Sequence, residues 1–134
     1  MMPHLIGLDP SIMLYRGLSA ALPEVAFGWD MPEGDGPKCL MVLDAGRYPT
    51  PVTQSMTLRL TVVRRNPDGS GDWVSACAIT RRIHRWLLRH ATDYPLCAVE
   101  VQSGPLRTYD DRLGCETAYS TVLLTVVATT STNT

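Results

Sequence analysis

Apolar and polar positions alternate most clearly where Met56, Leu58, Leu60 and Val62 are interleaved with Thr57, Arg59, Thr61 and Val63. A period of two predicts a half-buried strand, because successive side chains point to opposite faces. Val25, Phe27 and Trp29 alternate with Glu24, Ala26 and Gly28 in the same way, and Cys39 to Asp44 is a shorter apolar candidate. Leu96 to Val101 and Tyr119 to Val127 supply two more strands. The period lengthens to that of a helix at Leu14, Leu18, Ala21 and Leu22, a short helix opened by Asp9-Pro10 and closed by Pro23. Gly17 weakens it, so packing must hold it. A longer helix is predicted from Trp73 to His90, with Asp72 or Ser70 near its start. Trp73, Ala76, Ile79, Ile83, Trp86 and Leu87 share one face, with Thr80 and His90 at its edges. Arg81, Arg82, Arg85 and Arg89 lie opposite, some near the C-terminus where the helix dipole favours cations.

Turn chemistry separates these elements. Pro32 to Pro37, with Gly34, Asp35 and Gly36, reads as a turn or tip, and Arg64 to Gly71 closes the strand that precedes the long helix. Ala45 to Ser55 lacks periodicity and reads as a long projecting loop with Tyr48 exposed on it. Gly104-Pro105 interrupts extended chain, so the strand must stop or bulge there. The order is helix, two or three strands, helix, two strands. It predicts an α+β fold with two helices packed on one face of a mixed, mainly antiparallel four- to five-stranded sheet. One domain over residues 1–128 and a flexible Ser/Thr-rich tail over 129–134 complete the expected organisation.

With 134 residues and 45% hydrophobic composition, the chain can bury a core without staples. Its net charge of -1 makes no general case for nucleic-acid binding. The charge is uneven, however: five acids face Lys38 alone between Glu24 and Asp44, whereas Arg47 to Arg89 holds eight arginines against Asp68 and Asp72. Such asymmetry can orient complementary partners or simply decorate a wet face. Cys39, Cys77, Cys97 and Cys115 are too far apart to be a close metal-ligand pair, and Cys77 and Cys97 read as buried small residues. Two disulfides would suit a secreted protein, but Met1-Met2-Pro3-His4 has no leader character, so a reduced, intracellularly made protein is expected. No stretch has the ~20 apolar residues of a membrane span.

Little points to chemistry. His84 and His90 do not share a helix face, His4 sits near the terminus, and these histidines read as solvent-facing or edge-packing. Cys77 and His84 are two turns apart, too far for proton transfer. Lys38 is the only lysine and no phosphate loop accompanies it. The expectation is a non-enzyme without metal or cofactor. The arginines with Trp73 or Trp86 suggest nucleic-acid binding only if the aromatics are exposed as a stacking platform. Candidate interface residues are therefore Glu33, Asp35, Tyr48, Arg59, Arg64, Arg65, Arg81, Arg85 and Arg107, with Arg59, Arg64 and Arg65 able to meet Glu33 or Asp35 of another subunit.

The ordered segments Leu22-Pro23-Glu24-Val25, Thr57 to Val63, Asp72 to Leu88, Val99 to Pro105 with Arg107 following, and Tyr119 to Leu124 carry a resemblance. Over about residues 5 to 128 the chain resembles the tail terminator (tail-completion) proteins of long-tailed, siphophage-type bacteriophages, especially those of actinobacterial hosts. It departs from them before Met56, where a clear paired-glycine turn is lacking. The resemblance implies an α+β subunit of a homohexameric ring that caps the head-proximal end of the tail tube, ends its growth and offers the head-joining surface. It implies the major tail tube protein and a head-completion or connector protein as partners, genomic DNA passing through the lumen without sequence-specific binding, and location at the head-tail junction of the virion after synthesis in the host cytoplasm. A ring needs a heterologous contact that closes. Leu96 to Val101 and Tyr119 to Thr125 are expected as joining edges. Alternatives are a head-closure subunit on the capsid side and a small nucleic-acid-binding module.

Overall fold

Alternating and helical segments take eight places in a computed structural model that describes residues 5–48, 50 and 52–130. They run β1 (Leu5–Gly7), α1 (Ser11–Ala21), β2 (Ala26–Gly28), β3 (Lys38–Ala45), β4 (Thr53–Val63), α2 (Trp73–Arg89), β5 (Leu96–Asp110) and β6 (Cys115–Thr130). One sheet crosses the molecule in the order β2-β3-β4-β6, with β5 on the far side of β6. The short β1 shares that far side. Val127 donates its N–H to the Pro95 carbonyl and accepts from the Leu8 N–H at its own carbonyl, and both groups of one strand residue face one edge. Among the described residues only β2 and β3 pair in parallel; the other strand pairings are antiparallel. The fold is α+β, with both helices packed on one face of this mixed, mostly antiparallel sheet.

The core lies between the helices and that face. Leu14 and Leu18 descend from α1, and Ile83 and Leu87 from α2, onto Leu58, Leu60, Val62, Val122, Leu124 and Val126, all fully buried. Helix α1 begins where the Asp9 carboxylate accepts the Ser11 N–H at 2.9 Å, and α2 where Asp72 accepts from Ser75 N–H at 3.1 Å and from Ser75 Oγ at 2.7 Å. These bonds satisfy otherwise orphan amides at helix starts.

Gly17 has a packing reason that periodicity does not reveal. A Cβ built there would sit 2.2 Å from Cζ2 of Trp86, so the bare backbone is the seat of the indole. Trp86 is accordingly half-buried between the helices and stacks on His90, ring centroids 4.3 Å apart, instead of lying in the sheet-facing core.

Several expectations change. Strand β5 does not end at Val101: it passes through Gly104-Pro105 to Asp110, with register shifts between Val101 and Ser103 and between Ser103 and Leu106. The Gly-Pro break is resolved as a bulge because Gly104 adopts φ +96, so β6 starts at Cys115, earlier than Tyr119. Tyr119 to Thr125 is no edge either, since β6 is paired with β4 on one side and β5 on the other. Cys97 is exposed, because a further register shift between Leu96 and Ala98 makes it the extra residue of a bulge; Cys39, Cys77 and Cys115 are buried, and all four are free thiols. Burial pushes the thiols of Cys39 and Cys77 up in pKa.

The 45–55 loop is also shorter than its composition suggests. Gly46 N–H reaches the Ser55 carbonyl at 2.7 Å, Ser55 N–H reaches the Arg47 carbonyl at 2.7 Å, and Thr53 already belongs to β4. The expected tail begins within β6, whose Thr129 and Thr130 pair with Ile6 and Leu5, while 131–134 and His4 lie outside the described residues.

His84 also departs from its expectation, because it does not face solvent. It is buried, with Nε2 3.0 Å from Ser120 Oγ, and burial lowers its pKa from the ordinary 6.5. The unfolded chain therefore binds a proton that the folded chain refuses just below that value. Stability should be full above about pH 6.5 and fall as pH drops, until His84 protonates in the folded state as well. For one proton the slope is at most ~1.4 kcal/mol per pH unit. Urea midpoints from about pH 7.5 to about pH 5 should show this slope, and His84→Gln should flatten it.

Candidate assembly surfaces

The two ends of the sheet expose different chemistry. At one end, β2 covers β3 only along Lys38 to Leu40, leaving the edge from Met41 to Ala45 unpaired by any described strand. Trp29, just after β2, lines two adjoining open grooves there. One, of about 490 Å³, includes Met41, Val42, Leu43 and Met56; the other, of about 370 Å³, includes Ile12 and Tyr15. Beside Trp29 the loop Asp30 to Pro37 carries Asp30, Glu33 and Asp35, all exposed. Its tip is held: Gly34 takes φ +102 and its carbonyl accepts from the buried Lys38 ammonium at 2.9 Å. The lysine thereby fixes the loop from within and leaves the carboxylates facing outward.

At the opposite end stands the β5 edge, paired within the described residues only to β6. Between it and α2 lies a groove of about 410 Å³ lined by Trp73, Val74, Cys77, Arg81, Gly104 and Pro105. Leu106 and Tyr109 project from the same hairpin into solvent. Arg107 crosses to Glu116, with Nε 2.6 Å from the carboxylate, and its guanidinium carbon is 5.6 Å from the centre of the Trp73 ring.

The sequence candidates fall into separate groups on this frame. Arg59 meets Asp44 of its own chain at 2.8 Å, where adjacent antiparallel strands bring the pair together. Asp35, Arg64 and Arg65 share one cleft of about 540 Å³ within a single subunit, and Arg65 also donates to the Leu113 carbonyl at 2.8 Å. Glu33 is exposed near that cleft, and Tyr48 is exposed on the β3–β4 loop at the other end of β3. Arg81 and Arg85 lie on the solvent side of α2 and form no ion pair among the described residues, whereas Arg82 takes Glu24 at 3.1 Å. Glu24 is held below the usual carboxylate range by its hydrogen bond from Arg82.

Pattern reading did not single out Trp29, Leu106 or Tyr109. Trp29 read as a strand residue of an alternating run, and the hairpin pair fell beyond the expected end of β5. Exposure of large apolar groups at both sheet ends is a tertiary property.

The bare side of the sheet has an ordered composition too. Cross-strand rows run Leu40–Thr61–Tyr119–Leu106, then Val42–Arg59–Thr121–Ser103, then Asp44–Thr57–Leu123–Glu100. Five of these twelve residues carry hydroxyls, Ser103 Oγ meeting Thr121 Oγ1 at 2.7 Å, four are aliphatic, and of the three charged ones Arg59 is paired with Asp44 while Glu100 adds a second acid. Among the described residues no group of three His, Cys, Asp or Glu side chains is placed to hold a metal, and no helix is long and apolar enough to cross a membrane. No protein-family model matches the chain, and no curated protein matches it at a significant level.

Proposed function

We infer that this chain is a non-enzymatic structural subunit of a ring that terminates the tube of a long-tailed phage and provides the surface joined to the head. The bare sheet face is the observation that carries the reading. Thr57, Thr61, Thr121 and Ser103 are interspersed there with Leu40, Val42, Leu106 and Leu123, and the one cation of these rows, Arg59, is offset by Asp44 with Glu100 as a further acid, so the surface has no concentration of positive charge. Such a face suits the lumen of a ring through which DNA must move without being held, since phosphate retention requires a concentration of unpaired cations. The segments that carry the family resemblance add support, because they form α2, the bulged β5 and the central β4 and β6 of one domain. The partners in this reading are further copies of the chain, the tube protein on one axial side and a connector protein on the other.

Electron microscopy of particles assembled with and without the protein tests the reading. Overlong tubes without it, and one terminal ring with it, are expected. Tails of normal length that fail only to join heads would overturn it in favour of a capsid-side closure subunit.

A further inference from the structure

Helix α2 contains no acidic residue, yet Arg81, Arg82, Arg85 and Arg89 all stand exposed on it. At about 3.6 residues per turn these four fall within about 100° of arc, a single-signed stripe down the solvent side. Arg81, Arg85 and Arg89 are four apart, so the helix rises about 6 Å between successive members. Of the four, only Arg82 has an ion partner among the described residues, Glu24. The acids flanking the helix are engaged elsewhere: Asp72 accepts from Ser75, and Asp93 meets His90 at 2.6 Å. The helix dipole accounts for Arg89, the basic residue of the last turn, but its effect fades within that turn and does not reach the other three. The whole chain has a net charge of -1, so the stripe is a local concentration of charge and not part of a general basicity.

The stripe borders a notch of about 190 Å³, where Arg82, Arg85 and Arg89 stand around Trp86, Ala21 and Leu22. One wall shows how an anion is taken there. The Glu24 carboxylate accepts from both terminal nitrogens of Arg82, at 3.1 and 3.4 Å, a forked pair that holds it below the usual carboxylate range. Arg85 and Arg89 carry the same fork without an ion partner among the described residues. We propose that this stripe docks an acidic segment of a partner protein, its carboxylates meeting Arg81, Arg85 and Arg89 in turn and an apolar side chain resting against Ala21 and the edge of Trp86. Carboxylates are favoured over the phosphates of a nucleic acid for two reasons. The one anion the stripe already holds is a carboxylate. The aromatic lining of the notch, Trp86, is seated at Gly17 and stacked on His90, so it is no free platform for a base. The unbalanced guanidinium groups also supply the field that steers an acidic partner into register. This face lies across the sheet from the surface that carries the ring reading and stands independently of it, so either can fail alone.

Fluorescence anisotropy of a labelled oligoglutamate peptide, titrated with the full chain, tests the docking. The wild-type protein should bind it, and added salt should weaken the complex. Arg85→Gln combined with Arg89→Gln should raise the dissociation constant by about tenfold or more. Both positions are exposed, and circular dichroism and thermal melting verify that the double variant folds. Glu24→Gln should tighten binding severalfold, because it releases the Arg82 fork to the peptide. Arg112→Gln, in the β5–β6 turn, should bind as the wild type does. A peptide that does not bind, a double variant that binds like wild type, or a Glu24→Gln variant of unchanged affinity each overturns the docking. So does an Arg112→Gln loss as large as that of the double variant. A single-stranded oligothymidylate of equal length that binds more tightly than the peptide, and is released by the same double variant, would overturn it in favour of a nucleic-acid surface.

Discussion

Gly104→Ala should lower the stability of this protein by about 3 kcal/mol, a large share of what a domain of this size possesses. Two costs combine. Gly104 has φ +96, where an L side chain is strained by about 1–3 kcal/mol. A Cβ there would also stand 2.6 Å from the Tyr119 carbonyl oxygen, 2.6 Å from Ser120 Cβ and 2.8 Å from Ser120 Cα. These atoms belong to the central strand β6, held on both sides, so the bulge cannot relax by moving them cheaply. Gly69→Ala separates the contributions: Gly69 has φ +89 but nothing within 4 Å of its would-be Cβ, so it should lose only the strain, about 1 kcal/mol. Equal urea midpoints for the two variants would refute the steric half of the argument.

Ile83→Ala should cost about 3–4 kcal/mol, and Trp86→Ala less, about 2 kcal/mol, although tryptophan is much the larger side chain. Ile83 has no exposed surface and lies among the side chains of α1, α2 and the sheet, so truncation leaves a cavity that the strands cannot close. Trp86 keeps part of its ring in solvent between Arg82, Arg85 and Arg89, and water can occupy the space it leaves. Thermal or urea unfolding of the pair gives the order directly. A greater loss from Trp86→Ala would place the indole, and not Ile83, at the centre of the helix-sheet contact.

That comparison also marks the reach of pattern reading. Ile83 and Trp86 are three apart on one helical stripe, and periodicity assigns both to the core. A stripe wider than the sheet contact must spill over its side, and the spill met α1, where Gly17 leaves room for a ring. Gly17 accordingly reads as a helix weakness in sequence and as a packing seat in the fold. His84 shows the converse: a titratable side chain within the basic half of α2 becomes a buried partner of Ser120 only because β6 lies beneath it.

Among the candidate assembly residues, sequence chemistry identified charge but not its partner. Arg59 and Asp44 are far apart in the chain and adjacent across β3 and β4; Arg107 and Glu116 meet across the hairpin; Asp35, Arg64 and Arg65 meet at a cleft made by two turns. Charge asymmetry between segments was legible, whereas the subset left without ion partners was not. Leu106 and Tyr109 went unnoticed for a related reason. Their exposure depends on β5 continuing through Gly104-Pro105, and a Gly-Pro pair is compatible with either a stop or a bulge until β6 is in place beside it.

Element type is thus settled locally, since period two or 3.6 together with Asp72, Pro23 and the Gly/Pro turns depends only on neighbours in the chain. The α+β class, the two helices and the position of β4 follow from that alone. Strand partners, the bulge that lengthens β5, the exposure of Cys97 and the unlike ends of the sheet depend on residues distant in sequence. They are decided when the apolar face of the sheet meets the helices, because that burial selects one register and leaves every side chain on the other side, and at both ends, to the solvent or to a partner.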